Sequence, residues 1–535
     1  MSEHEGPHEG QEPEGRPEKE GHGAGGERHS GEGHGGMGKR GVTRPMGPRQ
    51  HKQHGPEHGG KKGHGGGHAM SSEDRKKMLG MHHAQTVWVW WSIILLGVWM
   101  VLAPLTFGQA GMRVEPSGGR DVWLSMEWRV RLMGGSDVLS GLALLFFGWR
   151  SLKPGRPLSQ WACCFVGIWL SMAPVLFWAP TAVSYLNGTL VGMLVIALSL
   201  LVPGMPGMVR YMKMGPPRPP GWTYNPSSWP QRAVMIGLGF VGFLVSRYLA
   251  AFQLGYIDTI WDPFFGESTR NVLNSNMSHS LPISDAALGT LAYTFEFLMG
   301  FMGSPARWRT MPWMVTFYGI LVIPLGLVHI GLVISQPVVV GEWCTFCLLA
   351  AAIMLPMLPL EGDEVVAMGQ HLVQAKRRGE SLWKVFWKGG EPEGSQPDER
   401  DPGVQAFPEA PVKVVRAGLW GMSVPWGLAL CALLGVGLMA VPGLLAVQKP
   451  ASAVFHLCGA FIVTASVVAW GEVFRLARML NLPLAGAVAV LPWVLGGGGM
   501  MAKVVGLLAG VAVAALSLPR GPKRESYGSW DRFVR

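Results

Sequence analysis

About a dozen apolar runs, each close to the roughly 20 residues a bilayer span needs, constrain this chain more than any other feature. Inside lipid, a single segment closes its own backbone hydrogen bonds only as a helix. The sequence therefore predicts an all-α polytopic membrane protein with about 12 transmembrane helices. The runs fall in three groups of four. The first is about 87–107, 132–149, 158–178 and 183–203, and the second 233–253, 285–303, 312–336 and 344–360. The third is 418–441, 451–471, 484–496 and 499–518, whose last two members are short and separated by Gly496 to Gly499. They read as two short spans, with a broken hairpin or one long interrupted span as alternatives. Hydrophobic residues make up 48% of the chain and charged ones 15%, a low charge content for a soluble protein. The formal charge of +10 sits in short connections, so lipid, not nucleic acid, is the expected partner.

Around these groups the chain divides by composition. Residues 1–83 are rich in His, Gly, Glu and Lys with almost no large apolar side chains, and are expected to be a disordered cytoplasmic tail. Its histidines, among them His22, His29, His34, His54, His58, His64 and His68, suit weak Ni, Cu or Zn binding or a plain solvated tail, and no metal site is assigned. A membrane module at 84–208 is followed by a basic, Pro-rich linker at 209–231 and a second module at 232–360. An amphipathic segment and linker at 361–415 come next; Glu364 to Trp387 is expected to lie along the membrane surface. The last membrane helices span 416–519, and 520–535 is a cytoplasmic tail. The first apolar run starts near Val87 behind a long polar stretch, so no cleavable signal peptide is expected.

Basic clusters set the orientation. Arg75–Lys77, Arg150–Arg156, Arg210–Arg218, Arg307 with Arg309, Lys376–Arg378, Arg475 with Arg478, and Arg520–Arg524 all fall on one side of an even number of spans. By the positive-inside rule that side is cytoplasmic. The expectation is a multi-pass protein of the bacterial inner membrane with both termini inside. The beginning of the eighth run then faces the oxidising outer compartment.

The first group repeats itself. Trp91, Gly97, Trp99, Ala103 and Pro104 recur at the same spacing as Trp161, Gly167, Trp169, Ala173 and Pro174, with a weaker echo at Trp426, Gly435, Ala440 and Pro442. This pattern resembles the SPW-repeat family of two-helix bacterial membrane modules, present twice here. The resemblance implies a membrane module and no chemistry.

The chemistry-bearing motif is Trp343-Cys344-Thr345-Phe346-Cys347, at the mouth of an apolar run. Two sulfurs at i and i+3 on a helix share a face and can close a disulfide. Backbone dipoles at a helix start favour a thiolate, so Cys344 is the expected nucleophile. The other four cysteines, Cys163, Cys164, Cys431 and Cys458, lack redox spacing and read as packing residues. Asp285, Gly289, Tyr293 and Glu296 are spaced to share one face of the sixth run. Arg247 on the fifth run is a candidate partner for Glu296. His329 on the seventh run is either a donor to a bound oxygen or a core histidine bonded to a carbonyl.

Taken together, the second group resembles the vitamin K epoxide reductase (VKOR) family. The carrying features are a long outer loop from Gly255 to Ser284, then Ser284-Asp285 with Gly289 and Tyr293, then Cys344-x-x-Cys347 after two more spans. The resemblance implies a central four-helix bundle that exchanges two electrons between protein thiols and a membrane quinone, ubiquinone or menaquinone. It implies that Cys347 is nearest the quinone and Cys344 exchanges with a partner, such as a periplasmic thioredoxin-like protein. Asp285, Gly289, Tyr293 and His329 are the residues it implies for quinone binding. This chain departs from the family in three places. Its outer loop has no cysteine pair, no thioredoxin-like domain is fused to it, and Ala351 stands where vertebrate members carry a tyrosine. The cysteine-free loop leaves a second reading open, a membrane scaffold or redox sensor. A transporter reading rests on Arg247, Glu296 and the broken final span.

Overall fold

The computed structural model describes residues 72–107, 113–201, 217–401 and 411–534. The tail through residue 71 and the linker arginine and lysine at 210 and 213 lie outside them. Eleven helices among the described residues are long and apolar enough to cross a bilayer. The first four are α1 (Ser72–Thr106), α2 (Met126–Ser151), α3 (Pro157–Leu176) and α4 (Ala182–Leu200). The central group is α5 (Trp229–Gln253), α6 (Asp285–Phe301), α7 (Pro312–Val322), α8 (Pro324–Val339) and α9 (Thr345–Arg377). The last group is α10 (Trp426–Leu444), α11 (Ala451–Val468), α12 (Asn481–Val494) and α13 (Met500–Ser517). Helix α6, at 17 residues, sits at the lower edge of spanning length. Helices α7 and α8 form one span broken at Ile323, where Pro324 has no N–H to continue the ladder.

Close helix crossings are built from glycine. In the first module Gly97 of α1 and Gly141 of α2 each lie where an added Cβ would meet the other's carbonyl oxygen, at 2.9 and 2.7 Å. Gly167 of α3 and Gly192 of α4 repeat this at 3.0 and 2.6 Å, and Gly435 of α10 with Gly459 of α11 at 2.6 Å. Small residues let backbones approach where lipid offers no hydrophobic drive between helices. The repeated tryptophans are equivalent in space. Trp99 donates to Asn187 on α4 at 2.8 Å, and Trp169 donates to Ser136 on α2 at 2.9 Å.

One expectation needs correction. The segment Glu364–Trp387 is not a separate surface helix. Helix α9 runs unbroken for 33 residues to Arg377, through Pro356 and Pro359, and a short helix Leu382–Lys388 follows. Its middle carries Glu361, Asp363 and Glu364, all buried, and side chains from other segments bond Asp363 and Glu364. Arg307 makes a two-pronged bond to Glu364, both contacts at 2.6 Å, and the Tyr224 hydroxyl donates to Asp363 at 2.6 Å. The final two spans are separate helices packed on each other, with the turn at Gly496–Gly499.

Candidate functional site

Cys344 and Cys347 form a disulfide with Cα atoms 5.2 Å apart. The geometry differs slightly from two helical positions. Cys344 is the N-cap of α9, with φ −109° and ψ 115°, and its sulfur accepts the Cys347 backbone N–H at 3.1 Å. Cys344 is fully buried and Cys347 is 9% exposed.

One turn into α9 the Tyr293 hydroxyl donates to the carbonyl of Ala350 at 3.0 Å. Ala350 is three residues past Cys347, about 4.5 Å along the axis and on the same face. Tyr293 reaches there because α5 gives way to it. A Cβ at Gly242 would lie 2.4 Å from the Tyr293 ring, and Gly289, one turn earlier on α6, rests on Ser246 of α5. His329 of α8 meets Tyr293 edge to face, with ring centroids 6.1 Å apart. No described residue hydrogen-bonds the His329 ring. Tyr293 and His329 thus meet one turn below Cys347.

Asp285 lies elsewhere. Eight residues before Tyr293, it is about 12 Å away along α6. Its carboxylate accepts from Ser278 at 2.9 and 3.0 Å. Ser278 in turn accepts from Gln253, which bridges to the N-cap Ser284 at 2.6 Å. The group fastens the outer loop to the ends of α5 and α6. The pairing of Arg247 with Glu296 does not form. Arg247 points at Thr189 and over the rings of Tyr185 and Phe243. Both Glu296 oxygens are buried without a hydrogen-bond partner.

The sequence reading missed Asp262, which closes the outer loop over the dithiol. Its carboxylate accepts from the hydroxyls of Thr345, inside the C-x-x-C, and of Thr269. It also accepts the backbone N–H groups of Phe264 and Phe265 at 3.0 and 2.9 Å. Desolvation opposes ionisation here. The hydrogen bonds from Thr269, Thr345, Phe265 and Phe264 outweigh it and hold the Asp262 carboxyl well below the usual carboxylate range. Phe346 is held on the same side by Tyr248, 5.1 Å away, and Trp261, 6.4 Å away. Asn271 donates to Glu342 at 2.9 and 3.1 Å, a second tie beside the motif. The local signal was readable: an Asp followed by Pro-Phe-Phe is an Asx-type turn. Its partner Thr345, 83 residues on, was not.

Residues 233–361 match the model of the vitamin K epoxide reductase family. The match covers α5 to the first half of α9, the segment holding the disulfide, Tyr293 and His329. No curated protein and no solved structure matches the chain. The central segment is therefore a VKOR-like oxidoreductase domain within a multi-pass membrane protein, and the VKOR match covers roughly a quarter of the sequence.

Proposed function

We propose that this protein is a membrane thiol–quinone oxidoreductase, oxidising a partner protein's thiols at Cys344 and passing two electrons through Cys347 to a ubiquinone or menaquinone. The observation that carries the reading is the Cys344–Cys347 disulfide one turn above Tyr293, inside the domain that matches the VKOR family. The residues suit a quinone. The His329 ring is half-buried with no hydrogen bond to a described residue, so a ring N–H is free to donate to a quinone oxygen, while the Tyr293 hydroxyl, already donating to Ala350, can accept from the quinol form. Bound there, a quinone supplies a two-electron, two-proton acceptor. The protein's part is to orient it with His329 and Tyr293, keep water out, and hold Cys347 in position. A fully buried Cys344 exchanges with a partner only when the Asp262 clasp opens. Asp285 and Gly289 act here at the boundary, as supports of the loop and of the α5–α6 crossing.

The orientation follows the charges. Helices α5 to α9 alternate, so the dithiol lies at the end opposite Arg307 and Arg309. By the positive-inside rule the dithiol faces the periplasm of a bacterial inner membrane, within reach of a thioredoxin-like partner. The flanking modules are scaffold.

The test uses the full-length protein, reduced and then mixed with a ubiquinone or menaquinone analogue, with free thiols trapped by alkylation. Conversion of Cys344 and Cys347 to the disulfide, with quinol formed in equal amount, is expected. Thiols that remain alkylatable with every quinone would sink the reading and leave the scaffold. In cells, Cys347→Ala is expected to accumulate a mixed disulfide between Cys344 and a partner.

A further inference from the structure

Glu296 is the most costly unexplained group in the molecule. It lies on α6 within the bilayer-spanning part, fully buried, and neither carboxyl oxygen accepts a hydrogen bond from a described residue. A carboxyl group kept in an apolar interior for structure alone would be bonded to a partner, as Glu364 is to Arg307. An ionisable residue inside a membrane most often serves passage of a charge.

Other buried polar groups lie within electrostatic reach of it. On its own helix Glu296 is within electrostatic reach of Tyr293, the tyrosine of the disulfide site. From α7, the buried Tyr318 interacts electrostatically with Glu296 and with Glu361 and Glu364 of α9, and the Arg307 guanidinium lies 5.3 Å over its ring. The Tyr318 hydroxyl and one oxygen of Glu361 are likewise buried and unpartnered. From α5, Arg247 is turned to Thr189, and Arg232 binds the carbonyls of Gly300, Met302 and Gly303 at the end of α6. Beyond Glu361, Asp363 lies in the field of Glu525, which pairs at 3.0 Å with the partly exposed Arg400. Orphaned polar atoms are the places where internal water is held, and carboxyl and hydroxyl groups bridged by water pass protons.

We infer that Glu296 relays protons to the Tyr293–His329 site from the end of the bundle opposite the dithiol, by way of Tyr318 and Glu361. The inference rests on the thiol–quinone reading. When Cys344 and Cys347 close their S–S bond they give up two electrons and two protons. Reduction of a quinone to its quinol consumes two electrons and two protons. With the thiol protons leaving at the dithiol end and the consumed protons arriving past Glu296, each turnover transfers the equivalent of two protons from one side of the membrane to the other.

The test places the full-length protein in sealed vesicles with a quinone analogue in the lipid and a pH-sensitive dye inside. A membrane-impermeant phosphine added outside reduces the disulfide, taking an oxygen from water as it becomes the phosphine oxide, and so drives only molecules whose dithiol faces out. The wild type is expected to alkalinise the interior in step with quinol formation, and a protonophore to abolish that signal. Glu296→Gln, which keeps the side chain's shape, should slow quinol formation at least tenfold and remove the interior signal. Its disulfide should still be reduced at the wild-type rate, which separates a lost relay from a misfolded protein. Glu296→Asp should recover part of both. Independently of turnover, a carboxylic C=O band in the reduced-minus-oxidised infrared spectrum should vanish in Glu296→Gln and shift in Glu296→Asp. Wild-type quinol formation without an interior pH change overturns the relay but leaves the oxidoreductase standing, as does wild-type behaviour of Glu296→Gln. No quinol from the wild type removes both.

Discussion

The dithiol is controlled by a side chain that is not part of it. Asp262 ties two hydroxyls and two backbone N–H groups together, one of the hydroxyls belonging to Thr345 between the cysteines. Because its folded-state pKa is depressed, the clasp is at full strength above the ordinary carboxylate range near 4. It is lost only as pH falls below that, through the lower folded value. At neutral pH the loop is therefore held shut by a permanently ionised group. Asp262→Asn keeps the shape but removes the charge from these bonds, at a cost of about 1 kcal/mol for a half-buried group. Phosphine reduction of the disulfide, which requires the loop to open, should then run several-fold faster, read by alkylation of Cys344 over time. An unchanged rate would mean that the loop does not limit access. The Cys344–Cys347 pair and the Gly289–Tyr293 helix were legible because a C-x-x-C and a Gly-Tyr spacing are local patterns. The Arg247–Glu296 pair was misread because it depends on how α5 is turned. Gly239, Gly242 and Ser246 form the α5 face against α6, and Arg247 lies about 100° round from Ser246.

At the scale of helices, the site depends on that α5 face. Tyr293 occupies the space a side chain at Gly242 would take, and this lets its hydroxyl reach Ala350 on α9. Gly242→Ala places a methyl against the ring and should cost about 1–3 kcal/mol through overpacking. The expected outcome is a lower unfolding temperature by intrinsic tryptophan fluorescence, together with loss of quinol formation as Tyr293 is displaced. Gly239→Ala, where a Cβ would stand 3.2 Å from Phe297 and away from the site, should show the thermal effect with less effect on turnover. Hydropathy located these helices well, since length and apolarity are properties of one segment. It did not reveal that α9 continues past the membrane-like run, because Glu361, Asp363 and Glu364 read as surface charges. Arg307 and Ser227, which bond Glu364, and Tyr224, which bonds Asp363, are supplied from elsewhere in the chain.

Across the whole molecule, the first module holds the outer loop without cysteines, and the last module holds the α8–α9 connection that leads into the dithiol. From the first, Arg120 donates to the carbonyls of Leu281 and, at 2.9 Å, Ile283, while its guanidinium lies 5.0 Å over the ring of Trp178. Trp178 donates to Pro282 at 3.1 Å, and Ser117 bonds Asn274 at 3.1 Å. Gly255, at φ +79°, passes so close to the Glu115 carbonyl that a Cβ there would sit 2.0 Å from it. From the last module, His456 packs on Trp343, next to Cys344, with centroids 5.4 Å apart, and Lys449 donates to Val338 at 2.8 Å. Apart from Arg120 over Trp178, these contacts join residues more than 100 positions apart, so no short window of sequence contains them. They give the flanking helices a definite task, holding the loop and the α8–α9 connection in place. Arg120→Ala leaves several loop carbonyls without a donor, a loss of about 1–3 kcal/mol if water does not replace it. Hydrogen exchange, corrected for intrinsic rates, should then rise across residues 274–284 and spread to Thr345. The amides of α1 and α2, which do not depend on this contact, should keep wild-type protection. If exchange rises in α1 and α2 as well, Arg120 supports the first module and not the loop. If it rises nowhere, the Asp262 clasp holds the loop without help from the flanking helices.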